Sequence, residues 1–258
     1  MRVMTFNLRF ENELDGENAW NCRRDIVIEV VHRCAPSILG TQEGTLMQLD
    51  FLQEHLSGYR MHAPGRVLDE TCQYPTLFYR EEEFRALSGG EFWLSKTPAA
   101  HRSKDWDSAF PRMVSYGLFE ELPTGRNVCA AVTHLDHIGK EARKQQAKII
   151  VEWMLQQSEP CILMGDFNDT PASEVHEIIT HPNIGLRDTW QILCRCEGRS
   201  SMTHHGFLGI PQRSRLDWIL VGCQFDVIDA KIVYDHHEGR YPSDHFPYVT
   251  ELKWRNSE

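Results

Sequence analysis

Apolar positions along the chain follow two rhythms. Short apolar or alternating runs occur at Val3 to Leu8, Ser37 to Gln42, Thr76 to Tyr79, Glu91 to Leu94, Val114 to Glu120, Asn127 to Thr133 and Cys161 to Met164. Such runs predict buried or half-buried strands. Between them, apolar residues recur at helical spacing: Ile26, Val27, Val30 and Val31 within Arg23 to Cys34; Leu46, Leu49, Leu52 and Leu56 ahead of Gly58; Ile149, Ile150, Trp153 and Met154 within Gly139 to Gln157. A short helix is expected at Val175 to Ile179, and strands return at Leu216 to Val221, Phe225 to Tyr234 and Tyr248 to Trp254. This order predicts two α/β halves, with sheet packed on sheet and helices outside. No linker tract and no fixed-period repeat interrupts the chain, so a single domain over residues 1–258 is expected.

Composition narrows the class. Hydrophobic residues at 41% and charged residues at 25% are globular values, excluding disorder, collagen and coiled coil as the main state. The first residues, Met1 to Asn7, show no apolar signal region, and no apolar run is long enough for a membrane helix. The eight cysteines (Cys22, Cys34, Cys72, Cys129, Cys161, Cys194, Cys196 and Cys223) are scattered without a C-x-x-C pair. The expectation is reduced thiols in a cytoplasmic protein, with no membrane and no obligate protein partner. A zinc site from Cys194, Cys196 and His204 or His205 is an alternative use of that segment. With 37 acidic against 27 basic residues the net charge is −10. That disfavours general polyanion binding, which relies on Lys and Arg, and leaves 13 histidines to be explained.

Polar residues gather where strands end, the usual place for ligand sites in α/β sheets. Asn7 and Glu43 close the first two strands, and His134 closes Val128 to Thr133. Asp166 and Asn168 lie in Gly165-Asp166-Phe167-Asn168, Asp217 in Leu216-Asp217-Trp218, and Asp244 and His245 in Ser243-Asp244-His245. Each alone is an ordinary loop residue; the joint set is specific.

Together with Thr5-Phe6-Asn7, Gln42-Glu43 and Thr133-His134-Leu135-Asp136, the set resembles the endonuclease/exonuclease/phosphatase superfamily over almost the whole chain, in the family's order. Asp15-Gly16-Glu17-Asn18-Ala19-Trp20, Phe78-Tyr79-Arg80, Phe92-Trp93-Leu94-Ser95 and Phe110-Pro111-Arg112 are most similar to a less characterised bacterial branch. The resemblance implies a four-layer α/β sandwich of the DNase I type, two packed mixed β-sheets flanked by helices. It also implies phosphoester hydrolysis that depends on a divalent metal, Mg²⁺ with Mn²⁺ as a substitute.

On this reading Glu43 is the principal metal ligand, Asn7 braces it or a metal-bound water, and Asp244 adds a further contact. Asp166 orients and deprotonates the attacking water, and Asn168 positions that water or the phosphate. His245, paired with Asp217, supplies an imidazolium to the transition state. His134 is a second imidazole for charge or leaving-group protonation. Arg112 adds a guanidinium to the phosphate, and Trp106 is the most loop-like aromatic platform, with Trp20, Trp93 and Trp190 as others.

One position departs from the family pattern. Where many relatives carry a glutamate that orients the His134 ring, this chain has Gln73, with Glu70 as a nearby substitute. His204-His205 and His236-His237 read as loop or surface residues, and His137 as a residue of the site rim. Arg23, Arg66 and Lys104 are further phosphate candidates or solvated ion pairs. Three readings stay open: a phosphoesterase on a small phosphorylated or short oligonucleotide substrate, a DNA or RNA nuclease, and a binding module without catalysis.

Overall fold

The computed structural model describes residues 1–67, 69 and 73–255; Glu70 and Cys72 lie outside the described residues. In chain order the main elements are β1 (Arg2–Asn7), α1 (Trp20–Cys34), β2 (Ile38–Gly44), α2 (Leu46–His55), β3 (Tyr59–His62), β4 (Tyr74–Arg80), β5 (Phe84–Trp93) and β6 (Met113–Glu121). There follow β7 (Arg126–His134), α3 (Lys140–Met154), β8 (Cys161–Asp166), α4 (Glu174–Ile179), β9 (Arg187–Asp188), α5 (Thr189–Ile192), β10 (Asp217–Val221), β11 (Phe225–Ile232) and β12 (Tyr248–Trp254).

Among the described residues these strands form two six-stranded sheets, ordered β11-β12-β1-β2-β4-β3 and β5-β6-β7-β8-β10-β9. Each sheet has one parallel pair, β1 with β2 and β7 with β8, while its other pairings are antiparallel. A parallel pair needs a crossover connection, supplied by α1 in the first half and α3 in the second. The two halves thus repeat one plan without repeating sequence, as the strand and helix order predicts.

Strand alternation builds the layers, since successive side chains point to opposite faces. In β1, Met4 and Phe6 pack outward with Trp20, Val27, Val30 and Val31 of α1. Val3 points the other way, into an inter-sheet core with Ile38, Val128, Ala130, Val132, Ile162, Met164, Ile219 and Val221. The outer face of the second sheet packs Ala131, Leu163 and Leu220 with Ala147 and Ile150 of α3. The result is helix, sheet, sheet, helix, the expected four-layer sandwich.

Three differences from the sequence expectation have physical causes. Strand β3 was not foreseen, because Tyr59-Arg60-Met61-His62 is too short and mixed to show a period, yet it pairs with β4 from Tyr59↔Arg80 to His62↔Leu77. Strand β5 starts at Phe84 rather than Glu91; Ser88 and the two glycines after it hide a long edge strand with a register shift between Ala86 and Ser88. The two-residue β9 is held through Leu220↔Asp188 on β10.

Candidate active site

The layer pattern carries straight into the site. Val3, Thr5 and Asn7 share one face of β1; Val128, Ala130, Val132 and His134 one face of β7; Ile162, Met164 and Asp166 one face of β8. On β10 the same face holds Asp217, Ile219 and Val221. The inter-sheet core therefore ends, strand by strand, in Asn7, His134, Asp166 and Asp217, each no more than 3% exposed. Register brings them together, with His134↔Asp166 across the parallel pair and Asp217↔Asp166 across the antiparallel one. Close approach of β7 and β8 here needs Gly165, whose φ is +153° and where a Cβ would lie 2.1 Å from the Thr133 carbonyl oxygen.

Asp166 is the hub. Its Oδ2 accepts from Asn7 Nδ2 at 3.0 Å, and lies 3.5 Å from His134 Nε2 and 3.8 Å from His245 Nε2. Its Oδ1 accepts from the Asn168 backbone N–H at 2.8 Å, in a turn where Asn168 has φ +50°. Burial, and then the charge of Asp217, push the Asp166 carboxyl well above the usual carboxylate range, against the pull of His245. His245 Nδ1 meets Asp217 Oδ2 at 2.8 Å. Burial alone would lower the His245 pKa, but Asp217, Asp166 and Asp244 outweigh it and raise it to about 10, so the ring is an imidazolium at neutral pH.

His134 is the opposite case. Burial, then the charges of Arg112 and His245, hold its pKa well below the ordinary value. Asn168 Nδ2 donates to the Leu135 carbonyl at 3.0 Å and to His134 Nε2 at 2.9 Å. A neutral ring that accepts at Nε2 carries its proton on Nδ1, and that buried Nδ1 has no partner among the described residues. Asn168, not Gln73, therefore orients this histidine.

Glu43 sits at a register shift between β2 and β4, with φ +63°. Its carboxylate accepts from Asn7 Nδ2 at 3.2 Å and from the Phe10 N–H at 3.0 Å. Asn7 Oδ1 in turn accepts from the Arg9 N–H at 2.9 Å. Ser243 Oγ donates to the Asn7 carbonyl at 2.6 Å and lies 3.3 Å from Asp244 Oδ1, tying the last loop to the first strand.

Comparison with known proteins gives the chain its family. A model of the Endonuclease/Exonuclease/phosphatase family matches residues 4–245. The chain belongs to that family. Among solved structures, a mannosyl-6-phosphatase from Bacteroides thetaiotaomicron VPI-5482 is similar at 30% identity and TM-score 0.88, covering 98% of this chain and 100% of that one. An endonuclease/exonuclease/phosphatase from Bacteroides vulgatus is similar at 31% identity and TM-score 0.91, covering 98% of each chain. The human Nocturnin catalytic domain, at 23% identity and TM-score 0.75 over 99% of this chain and 93% of that one, shares the fold. No curated protein matches the chain in sequence. Members of the endonuclease/exonuclease/phosphatase family hydrolyse phosphoester bonds, and this chain is a hydrolase of that class.

Beside His134 and Arg112 a cavity of about 120 Å³ opens between Trp93, Phe110, Tyr74 and Gln73, with Arg102 also on its wall. Asp136 shapes it: this buried carboxylate accepts from the Ala109, Phe110, Ile138 and Gly139 N–H groups and lies 3.7 Å from Arg112 Nε. Exposed His137 stacks on Phe110 and lies 3.2 Å from Arg112 Nη2, placing it on the rim as expected. Trp106 is elsewhere; its ring lies under Lys96 and does not line the cavity. Trp20 and Trp190 are core residues.

Several expectations are corrected. Arg23 is fully buried and donates to the carbonyls of Leu8, Arg9, Asn18 and Pro242, so it fastens loops rather than phosphate. The Arg66 side chain is buried against Glu91, Thr76 and Pro75. His204-His205 is not a surface pair: His205 is fully buried and stacks on Phe246, and half-buried His204 packs edge-on against His245. The only sequence signal was the adjacent histidine pair itself. Cys194 and Cys196 are exposed and join neither group of ligand-spaced side chains found among the described residues.

Those two groups are Asp166, Asp217 and His245, and His204, Asp244 and His245. The donor chemistry fits a divalent cation. Three acids, Asp166, Asp217 and Asp244, act on one imidazolium, Glu43 joins them through Asn7, and Asp217 Oδ1 is buried without a partner among the described residues. Each Glu43 oxygen takes one hydrogen bond, which leaves lone pairs on hard oxygen donors of the kind Mg²⁺ and Mn²⁺ prefer. Asn7 is a brace for Glu43 with both ends of its amide engaged.

Proposed function

We propose that the protein is a metal-dependent phosphatase acting on a small phosphorylated substrate, a sugar phosphate foremost. The observation that carries this reading is the meeting of Asn7, His134, Asn168, Asp217 and His245 around one buried carboxylate, Asp166. A divalent cation, Mg²⁺ or Mn²⁺, held by Glu43 and Asp244, would neutralise the phosphoryl oxygens and lower the pKa of water. Asp166, raised by burial, is tuned to take a proton from the attacking water. The His245 imidazolium, fixed by Asp217, stabilises charge that grows on the phosphoryl oxygens. Asn168 and neutral His134 position the reacting groups, and Arg112 steadies the phosphate. Residues 1–258 act as one domain in this reading.

The cavity supports a small substrate. At about 120 Å³ it is well below the ~300–1,000 Å³ typical of drug-sized ligand sites. Its aromatic walls, Trp93 and Phe110, suit the apolar face of a single ring. The net charge of −10 works against a long polyanion track. Similarity to the mannosyl-6-phosphatase supports a sugar phosphate.

A substrate panel tests the proposal. Purified protein with Mg²⁺ or Mn²⁺ is offered sugar phosphates, nucleotides, single-stranded RNA, abasic DNA and plasmid. Turnover of a sugar phosphate that exceeds turnover of the nucleic acids is the expected result. Plasmid degradation with no small-substrate turnover would assign a nuclease instead.

A further inference from the structure

We propose that Arg9 binds the phosphoryl group of the substrate and favours phosphomonoesters over phosphodiesters. The inference rests on the hydrolase reading above and deepens it. Arg9 was not among the phosphate candidates in the sequence, because nothing marks it apart from other loop arginines.

The mount of Arg9 is unusually constrained. Its φ is +53°, a left-handed conformation that non-glycine residues adopt at a cost. That backbone is held by the parts that build the site: its N–H donates to Asn7 Oδ1 at 2.9 Å, and the next N–H, of Phe10, donates to Glu43 at 3.0 Å. Its carbonyl accepts from Arg23 Nη2 at 2.6 Å and from Gln48 Nε2 at 2.9 Å. The side chain is as firmly placed. Nε and Nη2 donate to the two oxygens of Asp15, both at 3.0 Å, and the guanidinium lies 4.5 Å from the Phe10 ring centre.

A guanidinium has two donor edges suited to oxyanions. Asp15 takes the Nε/Nη2 edge. Nη1 has no protein acceptor among the described residues, and the side chain is 25% exposed. The second edge is thus open, on a rigid support whose next residue, Phe10, is hydrogen-bonded through its N–H to Glu43. The hydrogen bond to Asp15, then the charges of Asp244, Asp15 and Glu43, outweigh burial and raise the guanidinium pKa further. Arg112, the other phosphate-facing guanidinium, is buried on the cavity wall beside Asp136 and His137. A monoester dianion presents more charge and one more unesterified oxygen than a diester, so it gains more from such an edge.

The test uses the full chain with Mg²⁺, as wild type, Arg9→Lys and Arg9→Ala. Arg9→Ala should raise the Ki of inorganic phosphate about tenfold, and most of the thermal protection that phosphate gives should vanish. The kcat/KM ratio of p-nitrophenyl phosphate to bis(p-nitrophenyl) phosphate should fall about fivefold, with Arg9→Lys intermediate because it keeps charge without the fork. A phosphate Ki within about twofold of wild type overturns the proposal. So does equal loss on both esters, the result a purely structural arginine would give. Should Arg9→Ala not fold, Arg9→Lys supports the same comparison. Failure of the hydrolase reading looks different: wild type would turn over no phosphoester, while phosphate protection would still report on Arg9.

Discussion

His245 and Asp217 meet at 2.8 Å, Nδ1 to Oδ2, at the buried end of the inter-sheet core. The pair fixes both the orientation of the ring and its charge, because Asp217 is the strongest of the acids that raise His245. Asp217→Asn keeps the shape and removes the charge. Turnover should fall about 10²-fold with the fold intact, and His245→Ala, Asp166→Asn and Glu43→Gln should each fall at least about as far. Steady-state rates beside melting curves check this; near-wild-type turnover in any two of the four would refute the assigned roles.

Gly165 lies opposite Thr133 in the β7–β8 pair, with no room for a side chain. A methyl group would meet the Thr133 carbonyl oxygen at 2.1 Å, in a backbone conformation that side chains avoid. Gly165→Ala should therefore cost about 2 kcal/mol or more, and it should depress turnover by separating His134 from Asp166. Urea denaturation paired with kinetics measures both effects.

Asp188 makes the protein sensitive to acid at a group outside the Asp166 cluster. Burial alone would raise its carboxyl, but the hydrogen bond from His176 and the Arg215 guanidinium bring it below the usual range. A depressed carboxyl contributes stability above its unfolded pKa, near ~3.9, and loses it as pH falls through the lower folded value. Asp188→Asn should cost about 3 kcal/mol at neutral pH, since it leaves the buried Arg215 short of a counter-charge. It should also flatten the fall in stability below about pH 4. Denaturant titrations at a series of pH values decide both points.

Phe110 forms the exposed lip of the cavity beside His134 and is 57% exposed. Phe110→Ala should raise KM several-fold for a ring-bearing phosphate, roughly ~1 kcal/mol of lost contact, with kcat little changed. A matching loss for glycerol phosphate, which has no ring, would contradict the assignment of this wall.

Much of the site was legible because its residues step in twos along apolar strands. Val128, Ala130 and Val132 lead to His134, and Ile162 and Met164 lead to Asp166, on a face the sequence pattern already marks as buried. The remainder depends on contacts made across the fold. Asn168 rather than Gln73 orients His134 through a left-handed turn that no spacing reveals. His205 is buried because Phe246 lies against it, 41 positions further on by residue number. Arg23 is drawn inward by carbonyls from three separate segments, including Pro242. Polar residues in loops look alike in sequence, and only tertiary hydrogen bonds separate a fastener from a ligand-binding group.

The place of β1 has one more consequence. It lies between β2 and β12, pairing with Ile38 to Gln42 on one side and with Tyr248 to Glu251 on the other. During synthesis β1 emerges long before β12 and must keep one edge unpaired until β12 arrives. Such an edge invites pairing with a neighbouring chain. Activity should consequently wait for β12 to pair with β1, and the rate at which it appears during refolding would report closure of that central seam rather than collapse of the halves.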